Sequence, residues 1–371
     1  MSEHLGVYSD WIEHASAPAA RAASLPASEQ VRDVVRRMVS TAGAADGPSE
    51  VEVERRWTAG GLIGEEISYS VGFGPRTHAY VLKPADATGP LPGILALHGH
   101  DGFKYYGKEK IADTDQPPSA AVRALRDGLY EGRAFANDLA AQGYVVVVPD
   151  VLAWGSRRFP LEDMPPQITS GVDLEVPEDG DDLRATAAYN TAAGHHEHLV
   201  EKYCTLLGTT FAAVVTREDR IALAYLLGRD DTTDRTASIG LSGGGCRSAL
   251  LRATSSELTA AVVVGMMGTY NSLLDRNVVS HTWMLMPRML PAEVDWPDVA
   301  ACQAPASLLV QYNRQDELFP LDGATAAHDR IAAHYAAAGS AASYTGQFFD
   351  GPHKFDLAMQ DAAFTWLRES L

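Results

Sequence analysis

Long apolar runs are missing from this sequence. No stretch of its 371 residues approaches the roughly 18 consecutive apolar positions that a membrane-spanning helix requires. Cysteine is scarce as well. Three residues, Cys204, Cys246 and Cys302, are too few and too scattered for a disulfide framework or a zinc knuckle. Basic side chains are in deficit, 30 Lys and Arg against 48 Asp and Glu, which leaves a formal net charge of −18. Such a surface repels phosphate backbones and anionic lipid, which argues against nucleic-acid and membrane partners. The first twenty residues, MSEHLGVYSDWIEHASAPAA, hold no Lys or Arg and no apolar run. They do not read as a secretory signal, so a reduced, cytoplasmic setting is expected. No Gly-Lys-Ser/Thr step occurs either, which removes the phosphate-binding loop that needs a lysine after its glycines.

What is present is an ordinary globular composition with a regular alternation of segments. Residues 1–50 read as an N-terminal helical extension that ends in the linker-like TAGAADGPSE. Residues 51–371 then read as one large domain. VEVERRW (Val51 to Trp57) and THAYVLKP (Thr77 to Pro84) alternate as half-buried strands do. The runs GILAL (from Gly93), YVVVVP (from Tyr144), ASIGL (from Ala237), AAVVVG (from Ala260) and SLLVQY (from Ser307) are short and uniformly apolar. That pattern fits strands covered on both faces in a parallel sheet. Helical patterns fall between them and stop at Gly143, Gly228 and Gly339, glycine being a common helix terminator. The expectation is an α/β fold with a mostly parallel sheet flanked by helices. Two long connections, about 101–132 and 153–216, break the rhythm and read as lids or caps over a site. No internal repeat is evident.

The chemistry gathers around SIGLSGGGCRS (Ser238 to Ser248). Gly240 to Gly244 match G-x-S-x-G, with an apolar strand before and a helical segment, CRSALLRAT, after. A sharp strand-to-helix turn needs small neighbours because its serine is strained, with the hydroxyl exposed. A dinucleotide fingerprint would fall at the first strand–helix turn, and this turn comes late in the chain. Ser242 is therefore the candidate nucleophile. A hydroxyl needs a base to take its proton. His353, in FFDGPHKF after the strand-like YTGQFF, is the candidate base, and Asp316, just past SLLVQY, the candidate acid, with Glu317 and Asp322 as rivals. The order serine, acid, histidine is one in which such triads occur. All three then sit at carboxyl ends of strands, where open α/β sheets build their sites. The turn LALHGHDG offers a backbone N–H at His100, to pair with that of Gly243 as an oxyanion hole.

Other residues carry two readings each. His98, Trp154 and Arg157 are candidates to line the substrate pocket; the alternative for His98 is a structural role and for Trp154, Arg157 and Arg158 an anchor for the insertion. Asp150 precedes the serine and reads as structural. Cys246, one turn into the helix, reads as helix packing. The His195-His196-Glu197-His198 cluster raises a metal question but lacks the H-E-x-x-H spacing, and reads as a solvated cap segment.

At these motifs (LHGHDG, VVVPDVLAWGSRR, GLSGGG, NRQDELFP and GPHKFD) the chain resembles the α/β-hydrolase superfamily. Its nearest likeness is to the branch of acetyl-xylan esterases and dienelactone hydrolases. The resemblance implies a central eight-stranded sheet and a Ser–His–Asp triad of Ser242, His353 and Asp316. It departs from dienelactone hydrolases, which place cysteine at the elbow. The expected activity is hydrolysis of a carboxylic ester or related acyl bond of a small molecule, with no cofactor and no metal. Acyl transfer or a lyase step with the same triad is the alternative, and a non-catalytic binding protein on this scaffold is a third. Dimers are common among proteins of this look, so a homodimer is one candidate assembly, and the sequence itself leaves the oligomeric state open.

Overall fold

The computed structural model describes residues 4–15, 25–44, 47–172, 182–274 and 277–371. Nine strands form a single sheet: β1 (Ser49–Ala59), β2 (Leu62–Ser70), β3 (Thr77–Pro84), β4 (Leu91–Leu97), β5 (Val145–Pro149), β6 (Thr232–Leu241), β7 (Ala260–Val264), β8 (Ser307–Asn313) and β9 (Tyr344–Phe349). Their order is β1-β2-β3-β5-β4-β6-β7-β8-β9. The first three strands and β5 pair antiparallel, and every pairing from β5 through β4 to β9 is parallel. The expectation of eight strands is corrected here. The additional one is β2, which turns back on β1 through Gly60 and Gly61, both at positive φ, with Ala59 opposite Leu62. Two successive left-handed residues suit a tight hairpin because their twist matches that of the strands.

The uniformly apolar runs are the central strands, and β5 and β7 are buried at every residue. Side chains alternate between faces along each strand. Leu95 and Leu97 of β4 pack with Leu223 and Leu226 of the helix Phe211–Leu227, while Ile94 and Ala96 join Phe135 and Leu139 of the helix Phe135–Ala141 on the other face. The last helix, Leu357–Ser370, adds Met359, Phe364 and Leu367 to the second face. The N-terminal helix Ser28–Ser40 buries Val31, Val34, Val35, Met38 and Val39 in the same core as Trp296 and Leu250.

The two long connections fall where the alternation broke. The first contains the helix Ala120–Leu129. The second carries the 25-residue helix Asp182–Leu206, and the next helix, Phe211–Leu227, begins inside this connection with Thr210 as its cap. Most of the acidic run VDLEVPEDGDD, residues 173–181, lies outside the described residues. Among the described residues no helix is long and apolar enough to cross a membrane.

Candidate active site

Strand β6 ends at Leu241, and the helix Gly243–Thr254 starts two residues later. Ser242 between them has φ +55° and ψ −117°, a backbone state that a residue with a Cβ holds only when its surroundings enforce it. The enforcement is visible. The Ser242 N–H donates to the Val264 carbonyl at 2.8 Å, tying the turn to β7. The glycines let backbone pack against backbone: a Cβ on Gly244 would lie 2.1 Å from the Leu97 oxygen, and one on Gly240 would lie 2.4 Å from the Gly244 carbonyl carbon. A Cβ on Gly243 would lie 2.5 Å from the His100 nitrogen. The serine is thus set in a turn that tolerates no larger neighbour.

Asp316 and His353 come together across the ends of β8 and β9. The two strands stay paired beyond their ends, with Arg314 N–H donating to Phe349 O at 2.8 Å and Gln315 N–H to Gly351 O at 3.1 Å. This register brings His353 Nδ1 to 2.7 Å from Asp316 Oδ2. Asp316 Oδ1 accepts from the N–H groups of Leu318 (2.8 Å) and Phe319 (3.2 Å), so the carboxylate is locked from both sides. A carboxylate only accepts, so Nδ1 carries the proton and Nε2 is left as the basic nitrogen. Glu317 and Asp322 do not make this contact. Gly265, at φ +56°, gives the imidazole room beside the elbow: a Cβ there would stand 3.4 Å from His353 Cε1 and 2.9 Å from Leu241 Cδ1.

Ser242, Gly243, His100 and His353 wall one cavity of about 210 Å³. Its other walls include Leu129, Met266, Leu285, Leu318 and Phe319. Gly243 is the first residue of its helix, where N–H groups have no intrahelical partner. His281, which no sequence motif singled out, also faces the cavity. Its Nε2–H donates to Leu318 O at 3.1 Å, and burial pushes its pKa down to about 4, so the ring is neutral. Cys246 touches the cavity edge but is buried, with Sγ 3.7 Å from Met284 O, and burial pushes the thiol up.

Three expected pocket residues are elsewhere. His98 is buried beneath the loop with Nδ1 3.1 Å from Gly99 O, and burial, then Arg247 and Lys110, hold its pKa well below the usual range. Trp154 is buried, stacked on Phe211 and edge-on to His100. Arg157 bonds Glu218 at 2.6 Å and the Phe73 carbonyl at 2.9 Å, on the wall of a separate groove shared with Tyr105, Arg158 and Tyr189. Just past β5, the Asp150 carboxylate accepts from Lys108 N–H (2.8 Å), Ser156 N–H (2.9 Å) and Ser156 Oγ–H (2.8 Å), fastening the start of the insertion that carries Trp154 and Arg157.

The histidine cluster also differs from expectation. It is helical, and only His195 and His198 are exposed. His196 and Glu197 are buried, and the Glu197 carboxylate accepts from His100 Nε2–H at 2.9 Å and from Thr282 Oγ–H at 2.7 Å. The segment packs behind the cavity residues His100 and Thr282 and is not a solvated stretch.

No family model matches the chain. A protein of Bacillus subtilis (strain 168) described as "Putative hydrolase YtaP" is 23% identical over 271 residues, 72% of this chain and 74% of that one. Among solved structures, Methylesterase BT1017 superposes with a TM-score of 0.61 at 16% identity, covering 92% of this chain; the chain spans 63% of that longer protein. Acetyl Xylan Esterase 1 from Thermoanaerobacterium sp. JW/SL YS485 superposes with a TM-score of 0.57 at 14% identity, covering 93% of this chain and 95% of that one. The strand order, the strained turn after β6 and these superpositions agree: the chain has the α/β-hydrolase fold.

Proposed function

We propose that this protein is a serine hydrolase that cleaves a carboxylic ester through an acyl-enzyme. The observation that carries the reading is a locked His353–Asp316 pair, 2.7 Å apart, sharing one cavity with a serine held at φ +55°. In this reading Ser242 Oγ attacks the ester carbonyl while His353 Nε2 accepts its proton. Asp316 keeps the imidazole in that tautomer and stabilises the cation that forms. The N–H groups of Gly243 and His100 bind the oxyanion, each such donor contributing about 3 kcal/mol to the transition state. His353 returns the proton to the leaving alcohol, and water then releases the acid by the same route.

The structural relatives, a methylesterase and an acetyl xylan esterase, support an ester substrate, and the description of the Bacillus subtilis relative as a hydrolase supports hydrolysis. A cavity of about 210 Å³ with Leu129, Met266, Leu285, Leu318 and Phe319 in its walls suits a short acyl group. The three cysteines are free and buried, in keeping with a cytoplasmic enzyme. The test is hydrolysis of p-nitrophenyl acetate, butyrate and octanoate together with labelling by a fluorophosphonate. Wild-type protein is expected to cleave the acetate fastest and to be labelled, and Ser242→Ala to lose both. Labelling that persists in Ser242→Ala removes this serine from the mechanism.

A further inference from the structure

The helix Asp182–Leu206 sends one carboxylate into the wall of the site. Glu197 is 5% exposed, and four donors converge on it. Oε2 takes His100 Nε2–H at 2.9 Å and sits 2.5 Å from Lys104 Nζ. Oε1 takes Thr282 Oγ–H at 2.7 Å and Trp283 N–H at 2.9 Å. Burial by itself would raise this carboxyl; Lys104 and His100 outweigh it and hold it well below the usual carboxylate range. Lys104 in turn lies 4.2 Å over the Trp154 ring.

These bonds fix His100 in every respect that matters to its backbone. The ring accepts Gly102 N–H on Nδ1 at 3.0 Å and donates from Nε2 to Glu197, so one tautomer satisfies both. The His100 carbonyl accepts Phe103 N–H at 3.0 Å and lies 3.4 Å from Trp154 Nε1. The remaining polar group of the residue is the N–H that packs against Gly243. Thr282 belongs to a different wall of the same cavity, beside Ser280 and His281. One carboxylate therefore ties together the oxyanion loop, the insertion helix and the 280–285 segment.

We infer that Glu197 is a positioning residue of the site: by bonding His100, Thr282 and the Trp283 amide it aims the His100 N–H at the developing oxyanion. The inference rests on the ester-hydrolase reading of Ser242. A carboxylate is required because all four neighbours donate, whereas a carboxamide has a single acceptor oxygen and an NH₂ that would face donors. Displacing an oxyanion donor weakens the transition state more than the ground state, so the loss belongs in kcat.

The experiment compares wild type, Glu197→Gln, His100→Phe and the double variant for kcat and KM on p-nitrophenyl acetate. It also measures inhibition by n-butylboronic acid, whose tetrahedral serine adduct places an oxygen in the oxyanion hole. The expected result for Glu197→Gln is a fall in kcat of about tenfold or more with KM changed far less, boronate inhibition weakened in parallel, and a melting temperature lowered because Lys104 loses its buried partner, with the protein still folded at the assay temperature. The double variant should be no worse than the poorer single one, because both act through the same ring. A folded Glu197→Gln with wild-type kcat and boronate affinity overturns the inference, as do losses that multiply in the double variant. If Glu197→Gln does not fold, His100→Phe decides alone: a kcat-specific loss with weakened boronate supports the inference, and unchanged values overturn it. A wild-type protein that neither cleaves the ester nor takes the fluorophosphonate overturns the ester-hydrolase reading and this inference together, a result distinct from any of the variant outcomes.

Discussion

Replacing Asp316 by asparagine tests the site at its most constrained atom. Asp316 Oδ1 accepts two backbone N–H groups, from Leu318 at 2.8 Å and Phe319 at 3.2 Å, and Oδ2 faces His353 Nδ1 at 2.7 Å. An asparagine keeps its oxygen on the two amides, because the reverse orientation would set NH₂ against two donors and forfeit about 1 kcal/mol for each lost bond. Its NH₂ then points at His353 Nδ1 and donates to it. The imidazole proton is driven to Nε2, the nitrogen that has to accept from Ser242. Wrong-tautomer losses in such triads are about 10⁴ in kcat, or about 5.4 kcal/mol at 1.36 kcal/mol per factor of ten. The variant retains the shape and all three bonds, with the one to His353 reversed in direction, so its melting temperature should stay near wild type. The assay is kcat for p-nitrophenyl acetate at pH 7.5 with the melting curve measured in parallel. A folded Asp316→Asn that keeps a tenth of wild-type kcat would refute the tautomer argument. So would a larger loss in Glu317→Gln or Asp322→Asn.

Gly243→Ala places a Cβ 2.5 Å from the His100 nitrogen; the loop has to move, and kcat should drop about 100-fold, near the value of one oxyanion donor, which a steady-state assay reads directly. Met38→Ala empties a fully buried position in the helix Ser28–Ser40 and should cost about 2–3 kcal/mol in urea unfolding, with kcat unchanged in the folded protein. Asp231 bonds Lys83 Nζ at 2.7 Å and Arg229 Nε at 2.8 Å, and although burial opposes it, these cations lower its pKa from 3.8 to about 2. A carboxyl depressed in the folded state stabilises above its unfolded pKa and loses that contribution as pH falls through the folded one. Asp231→Asn should therefore be less stable than wild type at pH 6, by at most about 1 kcal/mol for a partly exposed pair, and the gap should close between pH 4 and pH 2; a gap that is constant with pH contradicts the assignment.

The parts of this molecule that were legible in the sequence are those whose chemistry is local. The turn after β6 is written in consecutive residues, since Gly240, Gly243 and Gly244 each exclude a Cβ for a reason of backbone packing. Asp316 and His353 follow apolar strands directly, so the parallel sheet that those strands predict also aligns the two residues. Strand β2 was equally local and still passed unread. Its LIGEEISYS pattern mixes faces, and the signal lay in the Gly60-Gly61 step between it and β1. Helix Phe211–Leu227 starts within the long connection 153–216 because Thr210 caps it, a local signal the sequence does carry.

Glu197 was illegible for a different reason. Its bonded partners His100 and Thr282 are 97 and 85 positions away in the chain. A helix with two exposed histidines beside it reads as a wet surface until the opposite face is seen to cover the oxyanion loop. Trp154 and Arg157 invert that error. Their place just after β5 pointed to the site, yet Trp154 packs on Phe211 and Arg157 pairs with Glu218, beside a buried Asp150 that gathers the Lys108 and Ser156 donors. In both cases a buried acid gathers donors from another segment of the chain, Lys108 for Asp150 and His100 and Thr282 for Glu197. The same physics separates the two kinds of residue at this site. The residues proposed to react, Ser242, Asp316 and His353, follow strand ends of the sheet and so follow from the fold. Behind them two buried acids hold the neighbouring segments: Glu197 ties His100 to Thr282 and Trp283, and Asp150, just past β5, fastens Lys108 and Ser156.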